Sequence, residues 1–103
     1  MAAEPAGDPL AVDARASELV ESFCEALRVE RNASAHTVRA YRTDLMDYLR
    51  WARRARVEPL GATHRPLRLY LAALARAQYS RTPVNRRLSA LRGVFRWLHV
   101  TGV

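Results

Sequence analysis

Apolar residues recur along this chain at steps of three and four, and no strand pattern competes with that period. The clearest run is Val84, Leu88, Leu91, Phe95 and Leu98, spaced four, three, four and three. At about 100° per residue these positions fall on one side of an α-helix, a period that a pleated strand cannot use. Three earlier runs obey the same rule: Leu19, Phe23 and Leu27; Val38, Tyr41, Leu45, Tyr48 and Leu49; and Leu67, Tyr70 or Leu71, and Leu74. Four amphipathic segments, each with one apolar stripe, predict an all-α fold, a four-helix bundle around a shared core. The 103 residues suffice for one such core but are few for an enzyme with a buried active site.

Polar residues mark the predicted helix ends. Residues 1–16 hold Pro5, Gly7 and Pro9 without sustained periodicity and read as a mobile leader, leaving 17–103 as the domain. Ser17 is the expected cap of a first helix running to about Glu30, and Ser34 that of a second from about Ala35 to Arg54. Thr63 is the expected cap of a third, with Pro66 in its first turn. In the fourth, Thr82 reads as the cap, Pro83 as the first helical residue and Gly102 as the stop.

Charge is divided unevenly along the chain. Residues 1–30 carry seven acids against Arg15 and Arg28, whereas residues 31–103 carry fifteen arginines against Asp44, Asp47 and Glu58. The second part would attract a polyanion, and double-stranded DNA is the first candidate. The longest uncharged apolar stretch near the middle is too short for a membrane span, and the N-terminus lacks a signal-peptide pattern, so a cytoplasmic protein is expected. Cys24 has no cysteine or histidine nearby at ligand spacing and reads as a small core residue; no metal site or cofactor is expected. His36, His64 and His99 are far apart, and no phosphate loop, HExxH or dinucleotide fingerprint occurs, so no catalytic residue is assigned.

The polar faces carry the functional expectation. Opposite its apolar stripe the second helix presents His36, Arg39, Thr43 and Arg50, and His36 and Thr37 at the helix N-terminus suit a phosphodiester. The far side of the fourth helix holds Asn85, Arg86, Ser89, Gly93 and Arg96, with Ala90 beside them, while Arg81, Arg86, Arg87 and Arg92 surround its start and flanks. Gly93 costs about 1 kcal/mol relative to alanine inside a helix, which implies close approach of another surface, either DNA or a neighbouring helix. Trp97 lies at the edge of this small-residue face and is expected to pack under a missing partner.

Two segments, SAHTVRAYRTDLMDYLRW (34–51) and NRRLSALRGVFRWL (85–98), resemble the N-terminal core-binding, or SAM-like, domain of tyrosine recombinases of the XerC/XerD and phage-integrase type. Tyr48 stands where the family pattern usually has phenylalanine. The resemblance implies a four-helix orthogonal bundle forming half of a clamp on a recombination half-site, with the second and fourth helices facing the major groove. It extends DNA contact to His36, Thr37 and Arg39, and to Arg86, Arg87 and Arg92. Together with the helix faces, the expected DNA-binding set is His36, Thr37, Arg39, Arg81, Asn85, Arg86, Arg87, Ser89 and Arg92. Pro83 and Val84 stand where relatives are often polar.

The resemblance further implies that catalysis through a phosphotyrosine intermediate belongs to a C-terminal domain absent from these residues, so the fragment itself is expected to bind DNA without cutting it. Its expected partners are duplex DNA and other recombinase protomers, the isolated domain being monomeric. Two alternatives remain: a helical protein–protein interaction module, using the acidic first helix and the small-residue face, and a helix-turn-helix regulator. The long linker between the second and third helices argues against the latter.

Overall fold

The computed structural model describes residues 14–61 and 63–102. They form four helices, α1 (Ala14–Glu30), α2 (Ala35–Ala55), α3 (Arg65–Arg76) and α4 (Arg81–Thr101), with no strand among the described residues. α1 and α4 both pack on α2, and α3 closes the bundle against α2 and α4.

One core joins all four. α1 contributes Val20, Phe23, Cys24 and Leu27, α2 Leu45, Tyr48 and Leu49, α3 Tyr70 and Leu74, and α4 Ala90, Leu91, Val94 and Leu98. Each fully buried Leu or Val in this cluster is worth about 1.5–3 kcal/mol relative to exposure. Cys24 is a buried free thiol whose pKa is pushed up by burial, as expected of a core residue. An aromatic group fastens α3 to α2: the Tyr48 and Tyr70 rings meet edge to face at 5.1 Å, and Trp51 lies 5.1 Å from Tyr70. The Tyr48 hydroxyl donates a 2.6 Å hydrogen bond to the carbonyl of Pro59. Tyr48 therefore ties the α2–α3 connection to the core.

Helix ends follow the sequence in part. Ser34 caps α2 as expected, its hydroxyl accepting from the Thr37 amide at 3.1 Å, and Gly102 ends α4 with φ 73° while its amide donates to Leu98 O at 3.1 Å. α1, however, is already helical at Ala14, and Ala16 is buried, so Ser17 lies inside the first turn rather than capping it. The rest of the expected leader, residues 1–13, lies outside the described residues. α3 takes His64 rather than Thr63 at its cap position, without a side-chain cap bond. α4 begins two residues early, with Ser80 at the cap position and Pro83 third in the helix. The reason is that the first three helical amides have no intrahelical acceptor, so proline's missing donor is as harmless at the third position as at the first. The first intrahelical bond is then Val84 N to Ser80 O, at 3.3 Å.

Candidate nucleic-acid interface

The orientation of α4 decides which of its side chains can meet a partner. The sequence stripe centres on Leu88, Leu91 and Phe95, but the buried positions are Ala90, Leu91, Val94 and Leu98, with Leu88 and Phe95 only half-buried. At about 100° per residue the helix is turned by roughly 70° from the expected setting. The turn brings the small residues inward. A Cβ on Gly93 would stand 3.1 Å from Phe23 Cζ, and Ala90 is completely buried. The close approach that Gly93 implied is thus made by α1. Trp97 also packs within the bundle, half-buried with its ring 5.8 Å from Phe23.

The opposite side of α4 is left to solvent. Arg81, Asn85, Ser89, Arg92 and Arg96 follow one another at steps of four, four, three and four, and all are exposed. None of the three arginines makes an ion pair among the described residues, so three full charges stand along one ridge. Arg96, on the far side of the helix but outside the expected contact set, belongs to this ridge by geometry. Its period-3.6 partnership with Arg92 and Ser89 was available in the sequence.

Arg86 and Arg87 point differently. The Asp44 carboxylate, nearly fully buried, accepts from Arg86 Nε at 2.8 Å and Nη2 at 3.0 Å. This bond raises the Arg86 pKa further, while about half of its side chain stays exposed. Arg87 turns inward: its side chain is 11% exposed, with Nη1 donating to Tyr70 Oη at 2.9 Å and Nη2 to Asp47 at 3.2 Å. Its guanidinium also lies 5.1 Å from the centre of the Tyr79 ring. Asp47 accepts in addition from Arg50 at 2.8 Å. Asp44 and Asp47, one turn apart on α2, thus receive the two adjacent arginines of α4. Sequence reasoning counted these acids only as charges, because nothing in one dimension shows which helix faces them.

On α2, His36 and Arg39 are exposed in the first turns, with Thr43 exposed on the same side. Thr37 is half-buried; its hydroxyl accepts from Ser34 Oγ at 3.0 Å, so part of its hydrogen-bonding capacity serves the cap. His36 and Arg39 precede Asp44 by eight and five residues, or roughly 12 and 8 Å along the axis. The Arg86–Asp44 pair therefore ties α4 to α2 about two turns beyond the α2 N-terminus.

Tyr48 and Tyr70 are buried, and burial pushes both phenols above their ordinary range, the opposite of an activated nucleophile. Among the described residues no group of three or more His, Cys, Asp or Glu is placed to hold a metal ion. No described helix is long and apolar enough to cross a membrane.

The phage integrase N-terminal SAM-like domain family matches residues 20–102, nearly the whole described bundle. The chain belongs to this family. Among relatives of this SAM-like domain, a tyrosine recombinase XerC of Xylella fastidiosa strain 9a5c is 41% identical over 83 residues, covering 80% of this chain and 28% of the relative. The tyrosine recombinase XerC of Oceanobacillus iheyensis is 33% identical over 84 residues, covering 81% and 28% respectively. That of Listeria innocua is 38% identical over 82 residues, covering 79% and 27%. The SAM-like domain spans little more than a quarter of the length of the curated relatives it matches. No solved structure matches it.

Proposed function

We propose that this SAM-like domain binds duplex DNA as the core-binding part of a site-specific tyrosine recombinase acting in the cytoplasm. The observation that carries this reading is the exposed ridge of Arg81, Arg92 and Arg96 on α4, without an ion pair among the described residues and interleaved with Asn85 and Ser89. Arginines of this kind supply phosphate contacts that set orientation, and the short polar side chains between them suit base edges in a major groove, which is wide enough for one helix. His36, Thr37 and Arg39 at the α2 N-terminus add a phosphate contact supported by the helix dipole. Arg86 contributes from the edge of the α2–α4 junction, and Arg87 acts indirectly by fixing the two helices. In this reading strand cleavage is the work of another domain of the recombinase, and other protomers join it on the DNA.

The interaction-module alternative loses its main surface, because the small-residue face of α4 is spent on Phe23 of α1. A helix-turn-helix regulator is disfavoured by the α2–α3 connection, which runs from Arg56 to His64. Gel-shift titration with duplex DNA tests the proposal. Arg92→Ala combined with Arg96→Ala is expected to weaken binding at least ten-fold at low salt while leaving the thermal midpoint nearly unchanged; undiminished binding by that folded variant would refute the assigned face.

A further inference from the structure

We propose that Asp44 is a positioning residue for DNA binding: it holds the Arg86 guanidinium so that its outward N–H groups meet a double-acceptor edge on the duplex. The acceptors are either two oxygens of one phosphate or O6 and N7 of a guanine, both of which match an arginine fork. This inference rests on the DNA-binding reading above.

Asp44 is the one buried charged side chain among the described residues, 2% exposed, and both of its oxygens are engaged by the same guanidinium. A guanidinium has five N–H donors in a fixed plane. Nε and one Nη2 hydrogen are spent on Asp44, while the Nη1 donors and the second Nη2 hydrogen find no partner among the described residues. The group therefore covers the carboxylate with one edge and turns another toward solvent, which is why Arg86 is 52% exposed while its partner is 1% exposed in side-chain terms. Asn85 and Ser89, exposed on the same helix, flank it. Its neighbour Arg87 shows what a purely internal arginine looks like here: 11% exposed, bonded to Tyr70 and Asp47, with Nε buried.

An unheld surface arginine must lose much of its rotamer freedom when it binds, and a pre-held one has already lost it. Asp44 is on this view retained for geometry, since as a charge it opposes DNA binding. That opposition gives the test a sign. Asp44→Asn makes the chain one unit more positive, so electrostatic attraction alone would tighten binding and steepen its salt dependence. Positioning requires the reverse.

The experiment is fluorescence-anisotropy titration of the whole 103-residue chain. The probe is duplex DNA selected by the wild-type chain from a random-sequence pool, and each variant is first checked for a cooperative melt. Asp44→Asn and Arg86→Lys are each expected to bind about ten-fold more weakly than wild type. Arg86→Lys keeps the charge and a partner for Asp44 but lacks the fork, so it decides the matter if Asp44→Asn fails to fold. A double variant, Asp44→Leu with Arg86→Met, replaces the pair by apolar groups and is expected to fold while binding as weakly as the single variants. If the acceptor is a phosphate, the salt slope of the double variant, which has lost the cationic contact, falls by about 0.9; if it is guanine, that slope is kept and base preference relaxes in Arg86→Lys. Wild-type-like or tighter binding by Asp44→Asn or Arg86→Lys overturns the positioning role, even when Arg92→Ala with Arg96→Ala is weakened. Failure of the wild-type chain to bind any duplex overturns the DNA-binding reading itself.

Discussion

At the scale of single residues, Tyr48 shows how one polar atom in a core is made tolerable and then useful. Its side chain is completely buried, and its hydroxyl finds an acceptor in the α2–α3 connection, the carbonyl of Pro59 at 2.6 Å. Tyr48→Phe removes the donor and leaves that carbonyl without this partner, a loss of about 1–3 kcal/mol that a thermal or urea melt near neutral pH will read. The same burial governs pH dependence. Desolvation raises the folded-state pKa of Tyr48 and Tyr70 above the ordinary phenol value of about 10. The folded state then holds these protons more tightly than the unfolded one, so the contribution is fully present below about pH 10 and is lost as pH rises beyond it. Melts between about pH 8 and 11 should show stability falling on the alkaline side, and Tyr48→Phe should be less stable at pH 8 but lose less on further alkalinisation. An equal alkaline slope in the variant would show that Tyr48 does not titrate in this transition.

At the scale of elements, α4 illustrates how packing chooses among faces that periodicity leaves open. Its apolar residues cover a wide arc, and Leu88 and Phe95 could have been central. The bundle instead seats Ala90, Leu91 and Val94, because the small side chains at 90 and 93 let α1 come close enough for Phe23 to fill the gap. Phe23 is itself 2% exposed and packed against Trp97, so it has little room to retreat. Gly93→Leu should therefore destabilise by about 1–3 kcal/mol through overpacking, despite the gain in helix propensity. A melt midpoint equal to or above wild type would show that the α1–α4 contact is looser than described. The non-glycine residues Asn32, Arg56 and Gln78 near the ends of α1, α2 and α3 all take positive φ, and only α4 has a glycine for this purpose. For α2 the left-handed Arg56 lets Val57 N reach Ala52 O at 3.1 Å, satisfying a carbonyl of the last turn.

At the scale of the whole molecule, charge is arranged by ion pairing as much as by composition. Glu21 is paired with Arg42, Glu25 with Arg28, Asp44 with Arg86, and Asp47 with Arg50 and Arg87. The arginines left without an acid among the described residues include Arg39, Arg81, Arg92 and Arg96, which line the proposed DNA face. If they neutralise phosphates, each one removed should reduce the slope of log K against log salt by about 0.9. Charges on α1 should matter far less. Glu18 and Glu25 are exposed on the helix that packs beneath the Gly93 side of α4, and screening over about 8 Å at physiological ionic strength limits their reach. Glu18→Gln with Glu25→Gln should leave affinity within two-fold in the titration where the Arg92 and Arg96 variants lose most of theirs. A comparable change in both would mean that total charge, rather than one face, sets binding.

The number of helices, the Ser34 cap, the Gly102 stop and the basic character of the second and fourth segments were all legible in the sequence, because each depends on residues within a few positions of one another. Val38, Leu45 and Leu49 could be placed in the core for the same reason, and the two long motifs sufficed to point to the family. What the sequence left open was every choice made between segments. It could not say whether Gly93 meets DNA or a helix, which side of α4 turns outward, or that Trp97 already has a partner in Phe23. Nor could it separate Arg86 from Arg87, adjacent and chemically identical, of which one presents an edge to solvent and the other is spent inside. Those outcomes depend on the position of Asp44, Asp47, Tyr70 and Phe23, which lie 17 to 74 residues away along the chain. Local periodicity fixes which residues share a helix face, but only the packing of one helix on another decides which face is buried.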